Sequence, residues 1–230
     1  MVVVAGFLPS VNGLRFTNSW PSEADVIVPV PVYGEVAIGN ASNGLCGGMV
    51  FTILDVFSAG VPPLTDSQPA SGTPLFKYIV GRLIDSFNVP DGILKYFDWM
   101  IEPDADVNLW ITARRGVRSR TVLDEWPKIK ADIDAQQPSP LGLVTVHSTS
   151  PGDLGKNHQV LAYGYDITGD QLTIQVYDPN TDPAQGDGVS IEVPMTGTAP
   201  ITHNINIGNP VRGFFRVDYT RKDPSALEPA

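Results

Sequence analysis

Only one cysteine occurs among the 230 residues, and it sits in Asn40-Ala41-Ser42-Asn43-Gly44-Leu45-Cys46-Gly47-Gly48-Met49, at the mouth of the apolar run Met49 to Phe57. One cysteine excludes an intramolecular disulfide and a cysteine-rich zinc site, so stability has to come from a packed core. The run reads as a buried helix that opens at Cys46 and stops at Gly60, where Gly60-Val61-Pro62-Pro63 supplies a C-terminal glycine followed by prolines. A thiol at a helix N-terminus feels unpaired backbone N–H groups and the positive end of the macrodipole, and both favour thiolate over thiol. Cys46 is therefore placed to be a nucleophile, and its glycine neighbours would let a substrate backbone approach. The competing reading of a lone cysteine is a small buried apolar residue with no chemistry.

Around this stretch the chain changes texture once. Before it, Ala24 to Val32 alternates apolar residues with prolines, which suggests edge strands and extended loops. After it, Leu75, Phe76, Ile79, Val80, Leu83, Ile84 and Phe87 recur at spacings of three and four, which predicts an amphipathic helix over 74–87 with Pro74 in its first turn. Further helices are expected over 91–101 and 121–136, the latter kinked or started by Pro127. From residue 139 onward the pattern is that of strands: 141–146, 158–165 and 172–177, with 167–171 as the turn of a hairpin, then 190–193, 202–207 and 211–219. A helical half followed by a sheet half is an α+β pattern. It is expected as one domain over 1–222, with the helical half at about 41–137, the sheet half at about 139–220 joined by the N-terminal strands, and 223–230 as a frayed tail.

Charge and hydropathy narrow the function. A net charge of −10 disfavours nucleic acid and anionic membranes as partners. Apolar runs fall well short of the ~18 residues a membrane span needs, and Met1 to Phe7 lacks the basic start of a signal peptide, so a soluble, cytoplasmic protein is expected.

A cysteine nucleophile needs a base to hold it as thiolate and a third group to orient that base. His158 heads one strand of the expected hairpin and Asp178 follows the other, so the hairpin would set them side by side; Asn180 is the alternative orienter. The other two histidines, His147 and His203, are not followed by a comparable return strand and carboxylate. Gly44-Leu45-Cys46-Gly47-Gly48, then Asn157-His158-Gln159-Val160-Leu161-Ala162-Tyr163-Gly164-Tyr165-Asp166, then Val176-Tyr177-Asp178-Pro179-Asn180, resemble the papain-like cysteine peptidase superfamily, within it most nearly the branch of double-glycine leader peptidases. The resemblance spans roughly 36–60 and 140–182. It implies a papain-like fold, a helical half carrying the cysteine packed on an antiparallel sheet half carrying the histidine. It also implies Cys46 as nucleophile, His158 as base, Asp178 as orienter and a peptide or other acyl or amide substrate, with neither metal nor cofactor. The superfamily's oxyanion-hole Gln stands six residues before the cysteine; this chain has the shorter amide of Asn40 there. That replacement supports a second reading, a catalytically inactive papain-like binding module.

Three further motifs carry weaker signals. Arg114, Arg115, Arg118 and Arg120 form a local basic cluster that is either a solvated loop or a site for an anionic ligand. Asp178-Pro179-Asn180-Thr181-Asp182 begins like a calcium loop, but Pro183 replaces the required Gly and Val189 the terminal Glu. Asn40-Ala41-Ser42 matches a glycosylation acceptor, where a glycan would crowd Cys46, so the match is treated as accidental.

Overall fold

Apolar residues on every side of the segment after Cys46 leave a helix there no solvent face. In a computed structural model, which describes residues 1–20, 25–30, 34–40, 45–65, 67–88, 90–109 and 112–227, that helix is buried from Gly47 to Val56. It is α2 (Cys46–Ala59), after the short α1 (Pro9–Asn12). Gly60 closes it at φ 66°, its N–H donating to the Phe57 carbonyl, a left-handed cap that favours glycine. In α3 (Pro74–Ser86) the Thr73 hydroxyl accepts the Phe76 N–H, Pro74 lies in the first turn, and Leu75, Phe76, Ile79 and Leu83 are buried. α4 (Asp91–Ile101) buries Ile93, Tyr96, Phe97, Trp99 and Met100.

Glycines set how closely α2 meets its neighbours. A Cβ on Gly48 would lie 2.1 Å from the Ile79 carbonyl oxygen of α3, and one on Gly47 would lie 2.3 Å from the Ser86 hydroxyl. The two glycines after Cys46, expected to make room for a substrate, therefore make room for α3 and the sheet. The one carboxylate of this buried helix, Asp55, is satisfied on all sides. Arg82 Nε lies 2.6 Å from it, the hydroxyls of Tyr78 and Tyr219 donate at 2.9 and 2.7 Å, and the Lys222 N–H donates at 2.8 Å. Buried charge is tolerated only when so paired.

The third predicted helix begins earlier than its sequence pattern suggests. It runs as α5 (Val117–Ser119), a π-helical segment (Arg120–Glu125) and α6 (Trp126–Asp134). Pro127 falls in the first turn of α6, where its missing N–H and its ring disturb the ordinary ladder. The Trp126 N–H instead reaches back to the Thr121 carbonyl.

The strands follow the same order. β1 (Val2–Val3) pairs with β7 (His158–Thr168), and β2 (Asp25–Val30) and β3 (Gly34–Asn40) form a separate antiparallel pair, as do β4 (Val107–Leu109) and β5 (Thr112–Arg114). The main sheet has the order β10-β9-β8-β7-β6-β11, from β6 (Ser139–Val144), β7 (His158–Thr168), β8 (Gln171–Tyr177), β9 (Ser190–Pro194), β10 (Thr202–His203) and β11 (Gly213–Arg216). All of its pairings are antiparallel, and helices pack on it, so the fold is α+β.

Strand lengths differ from expectation for identifiable reasons. The β7–β8 ladder runs through the expected turn at 167–171 to Thr168 and Gln171, because Gly169 at φ 64° lets two residues reverse the chain. β10 ends at His203 because Asn204 uses its side chain to bond Gly188 and Ser190. Part of the segment expected to fray is docked: Pro224 is buried and Ser225–Leu227 forms a turn. Among the described residues no helix is long and apolar enough to cross a membrane.

Two glycine replacements test the packing of α2. Gly48→Ala, which drives a methyl into a backbone carbonyl, is expected to cost about 1–3 kcal/mol or more in urea unfolding. Gly81→Ala in α3, where an added Cβ meets nothing within 4 Å, should stabilise the fold by about 0.5–1 kcal/mol.

Candidate active site

Cys46 is the first residue of α2, so the N–H groups of the opening turn have no partner within the helix. The backbone of Gly47, and that of Gln159 at the start of β7, which packs against α2, lies near the sulfur and favours its charged form. His158 opens β7 with its ring beside Cys46, close enough for each to shift the other's proton affinity. Its Nε2 lies 2.7 Å from Asp178 Oδ1, which leaves Nδ1 as the nitrogen facing sulfur. Asp178 directly follows β8, and the β7–β8 hairpin carries it to His158. Three residues far apart in sequence thus meet at the junction of the helix layer and the sheet.

Burial grades across the three groups. Cys46 is of intermediate exposure, while His158 is 5% and Asp178 1% exposed. Burial by itself pushes the Cys46 thiol up. The His158 charge and hydrogen bond, with the two backbone N–H donors, more than offset it, and the thiol ends below its ordinary value. Burial also pushes His158 down, but the facing thiolate and the Asp178 carboxylate raise it to about 10. Asp178 is held below the ordinary carboxylate range despite burial, by His158 and by donors from Thr181 and Asn180. The arrangement is a thiolate–imidazolium pair backed by a carboxylate.

Sign follows from these directions. The raised His158 contributes stability that is present below about pH 6.5 and lost as pH rises through about 10. The lowered Cys46 contributes stability that is present above the free-thiol value and lost as pH falls through its own lower one. Between the two folded-state values both charges persist.

Asp178 does more than orient the ring. Its oxygens also accept the Asn180 N–H at 3.0 Å, the Thr181 hydroxyl at 2.6 Å and the Asn206 N–H at 2.9 Å. A carboxylate so filled with donors has no free oxygen for a calcium ion, and Asp182 caps the following turn through the Ala184 N–H. Asn180, the alternative orienter, does not bond His158. Its side chain joins Asn18 and the Asn206 carbonyl instead, because its backbone already turns the chain beneath Asp178.

The remaining candidates are placed as follows. Asn40 is the last residue of β3, its backbone paired opposite Asp25, while its side chain and residues 41–44 lie outside the described residues. His147 bonds the Ile101 carbonyl at 3.2 Å, and His203 lies in the edge strand β10. Most of the arginine cluster is paired within the fold. Arg114 pairs with Glu102, Arg115 with Asp124 and Arg120 with Asp98, while Arg118 donates to the Pro194 carbonyl. Three of the four charges are thus paired with carboxylates, which favours the solvated-loop reading over a site for an anionic ligand.

Beneath the sulfur lie polar groups that sequence patterns did not single out. The buried Gln159 amide bonds the Ser86 hydroxyl at 3.3 Å, and the Tyr96 phenol is pushed up by burial and then by the nearby Cys46 thiolate. Gln159 was detectable only as the neighbour of His158, and Ser86, Tyr96 and Asn18 carried no signal, since their partners come from distant segments. No family model, no curated protein and no solved structure matches the chain.

The charge pair sets a reactivity profile. Iodoacetamide alkylation of Cys46 is expected to rise with pH at a midpoint well below the ~8.5 of a free cysteine, and His158→Ala should return the midpoint to or above that value. Mass-spectrometric rate measurements across pH check this. A wild-type midpoint already near 8.5 would identify Cys46 as an inert buried thiol.

Proposed function

We propose that this chain is a papain-like cysteine hydrolase or acyltransferase that works through a thioester acyl-enzyme, acting on a peptide or amide bond. One observation carries the proposal: Cys46 at a helix start lies beside His158, one ring nitrogen of which is held at 2.7 Å by the buried Asp178. Fold class supports it, since the cysteine sits on a helix layer and the histidine on an antiparallel sheet, as in the superfamily that the sequence resembles.

The chemistry follows from the charges. The Cys46 thiolate attacks the substrate carbonyl carbon, and the electron pair of the C=O moves onto oxygen. The N-terminus of α2, which opens at Cys46, offers the positive end of a helix dipole to that oxyanion. The resemblance assigns the second donor to Asn40. As the C–N bond breaks, imidazolium Nδ1 gives its proton to the departing amine, leaving a thioester and a neutral imidazole. The imidazole then takes a proton from water, or from an acceptor amine, as that group attacks the thioester. Collapse releases the acyl product and restores thiolate and imidazolium. Asp178 keeps the ring oriented and stabilises its charged form throughout.

The proposal is tested with p-nitrophenyl acetate, which acylates activated thiols without needing the natural substrate. A burst of one p-nitrophenolate per chain is expected, with an acetyl group trapped on Cys46 by acid quench and located by mass spectrometry. Asp178→Asn should slow the burst by about 10²–10⁴-fold while the chain still unfolds cooperatively. A chain whose thiol alkylates at low pH but never acylates would instead be the inactive binding module. A thiol with neither property would end both readings.

A further inference from the structure

Three asparagines connect the two halves of the site, and none of them touches His158 or sulfur. Asn18 Oδ1 accepts the N–H of Leu45 at 2.6 Å, and Leu45 is the N-cap residue of α2, directly before Cys46. Asn18 Nδ2 donates to Asn180 Oδ1 at 3.0 Å, and Asn180 Nδ2 donates to the Asn206 carbonyl at 3.1 Å. Asn206 Nδ2 returns a bond to the Asn180 carbonyl at 2.9 Å, while the backbone N–H groups of Asn180 and Asn206 both end on Asp178. A backbone bond from Asn18 N–H to the Pro179 carbonyl at 2.8 Å runs alongside. The polarity of the chain is unambiguous. It begins at an N–H, which demands an oxygen, and ends at a carbonyl, which demands an amide nitrogen, so each side chain has one possible orientation.

Leu45 has no capping side chain of its own, and its N–H lies outside the helix ladder. Asn18 therefore stands in for a cap supplied from elsewhere in the chain, and through Asn180 it ties the start of α2 to the loop that carries Asp178. We propose that Asn18 and Asn180 are positioning residues, forming a latch that holds the start of α2, and with it the Cys46 sulfur, at a fixed distance from the His158–Asp178 pair. The proposal rests on the reading of Cys46 as a nucleophile, and it assigns to Asn180 a part in the site different from the orienting one expected from sequence. Asparagine suits both positions because each must accept on one side and donate on the other. An aspartate at 18 would set a second oxygen against Asn180 Oδ1.

The test is the pH profile of Cys46 alkylation by iodoacetamide in the full chain, measured for wild type, Asn18→Ala, Asn180→Ala and the double variant. Thermal unfolding of each runs alongside. Asn204→Ala serves as a control, since Asn204 also bonds backbone groups in this region, at Gly188 and Ser190, but lies off the latch. Each latch variant should raise the midpoint by about half a pH unit or more, which is about a threefold loss of thiolate at a pH below the midpoint. The double variant should go no further than the larger single one, because both remove the same bond. Asn204→Ala should leave the midpoint unchanged whatever it does to thermal stability. Should one single variant fail to fold, the other removes the same Asn18–Asn180 bond and decides the matter. Midpoints that stay at a low wild-type value in both variants overturn the latch and leave the nucleophile reading standing. A wild-type midpoint near 8.5 overturns the nucleophile reading itself.

Discussion

Because α2 has no solvent face, its polar groups have to be satisfied by other parts of the chain, and the contacts that do so tie the molecule together. At its far end Asp55 gathers Arg82 and Tyr78 from α3, and Tyr219 and Lys222 from the C-terminal segment. At its near end the opening turn gathers Asn18 from the N-terminal segment and His158 and Gln159 from β7. Each carries a severe penalty if left unpaired, since a buried ion without its partner costs several kcal/mol, against only ~5–15 kcal/mol of net stability in a typical domain. The helix that offers the sulfur is also the helix whose burial fixes where the sulfur sits.

The two ends differ in what their charges can do. Around Asp55 the Arg82 guanidinium is packed over the Phe51 ring at 4.9 Å and is 2% exposed, so the ion pair is sealed and structural. Cys46, by contrast, is of intermediate exposure, and its charge faces an imidazole whose proton can leave. Burial opposes ionisation at both Cys46 and His158, yet each ends in the direction that favours its charged form, because the opposite charge is adjacent and Asp178 backs it. The same local physics yields a permanent clamp where the cation is arginine and a titratable pair where it is histidine.

Much of the local structure was legible. The apolar spacing over 74–87, the proline in its first turn and the glycine at 60 are short-range signals, and α3 and the cap of α2 follow them. The order of Cys46, His158 and Asp178 around a hairpin marked three residues that the fold does bring together. Other signals misled for physical reasons. The arginines at 114–120 left a solvated loop and an anionic-ligand site both open, because the carboxylate partners of Arg114, Arg115 and Arg120 could not be read from the local pattern. Gly47 and Gly48 suggested open space, whereas they are crowded by Ser86 and Ile79. The helix was expected from 121, kinked or started by Pro127, and its opening residues from Val117 were missed; a π-helical turn over Arg120–Glu125 leads into the proline.

By itself the sequence determined the element types, the helical-then-sheet order and the chemical identities of a thiol, an imidazole and a carboxylate, because these depend on spacing, turn chemistry and side-chain groups within reach of one another along the chain. Tertiary structure alone decided which orienting group meets the ring, how far each proton affinity moves, and that Asn18 reaches the start of α2. Hydrogen bonds of 2.6 to 3.0 Å between Leu45, Asn18 and Asn180 join segments that are distant in sequence, and no local pattern encodes a distance between segments that only packing brings together.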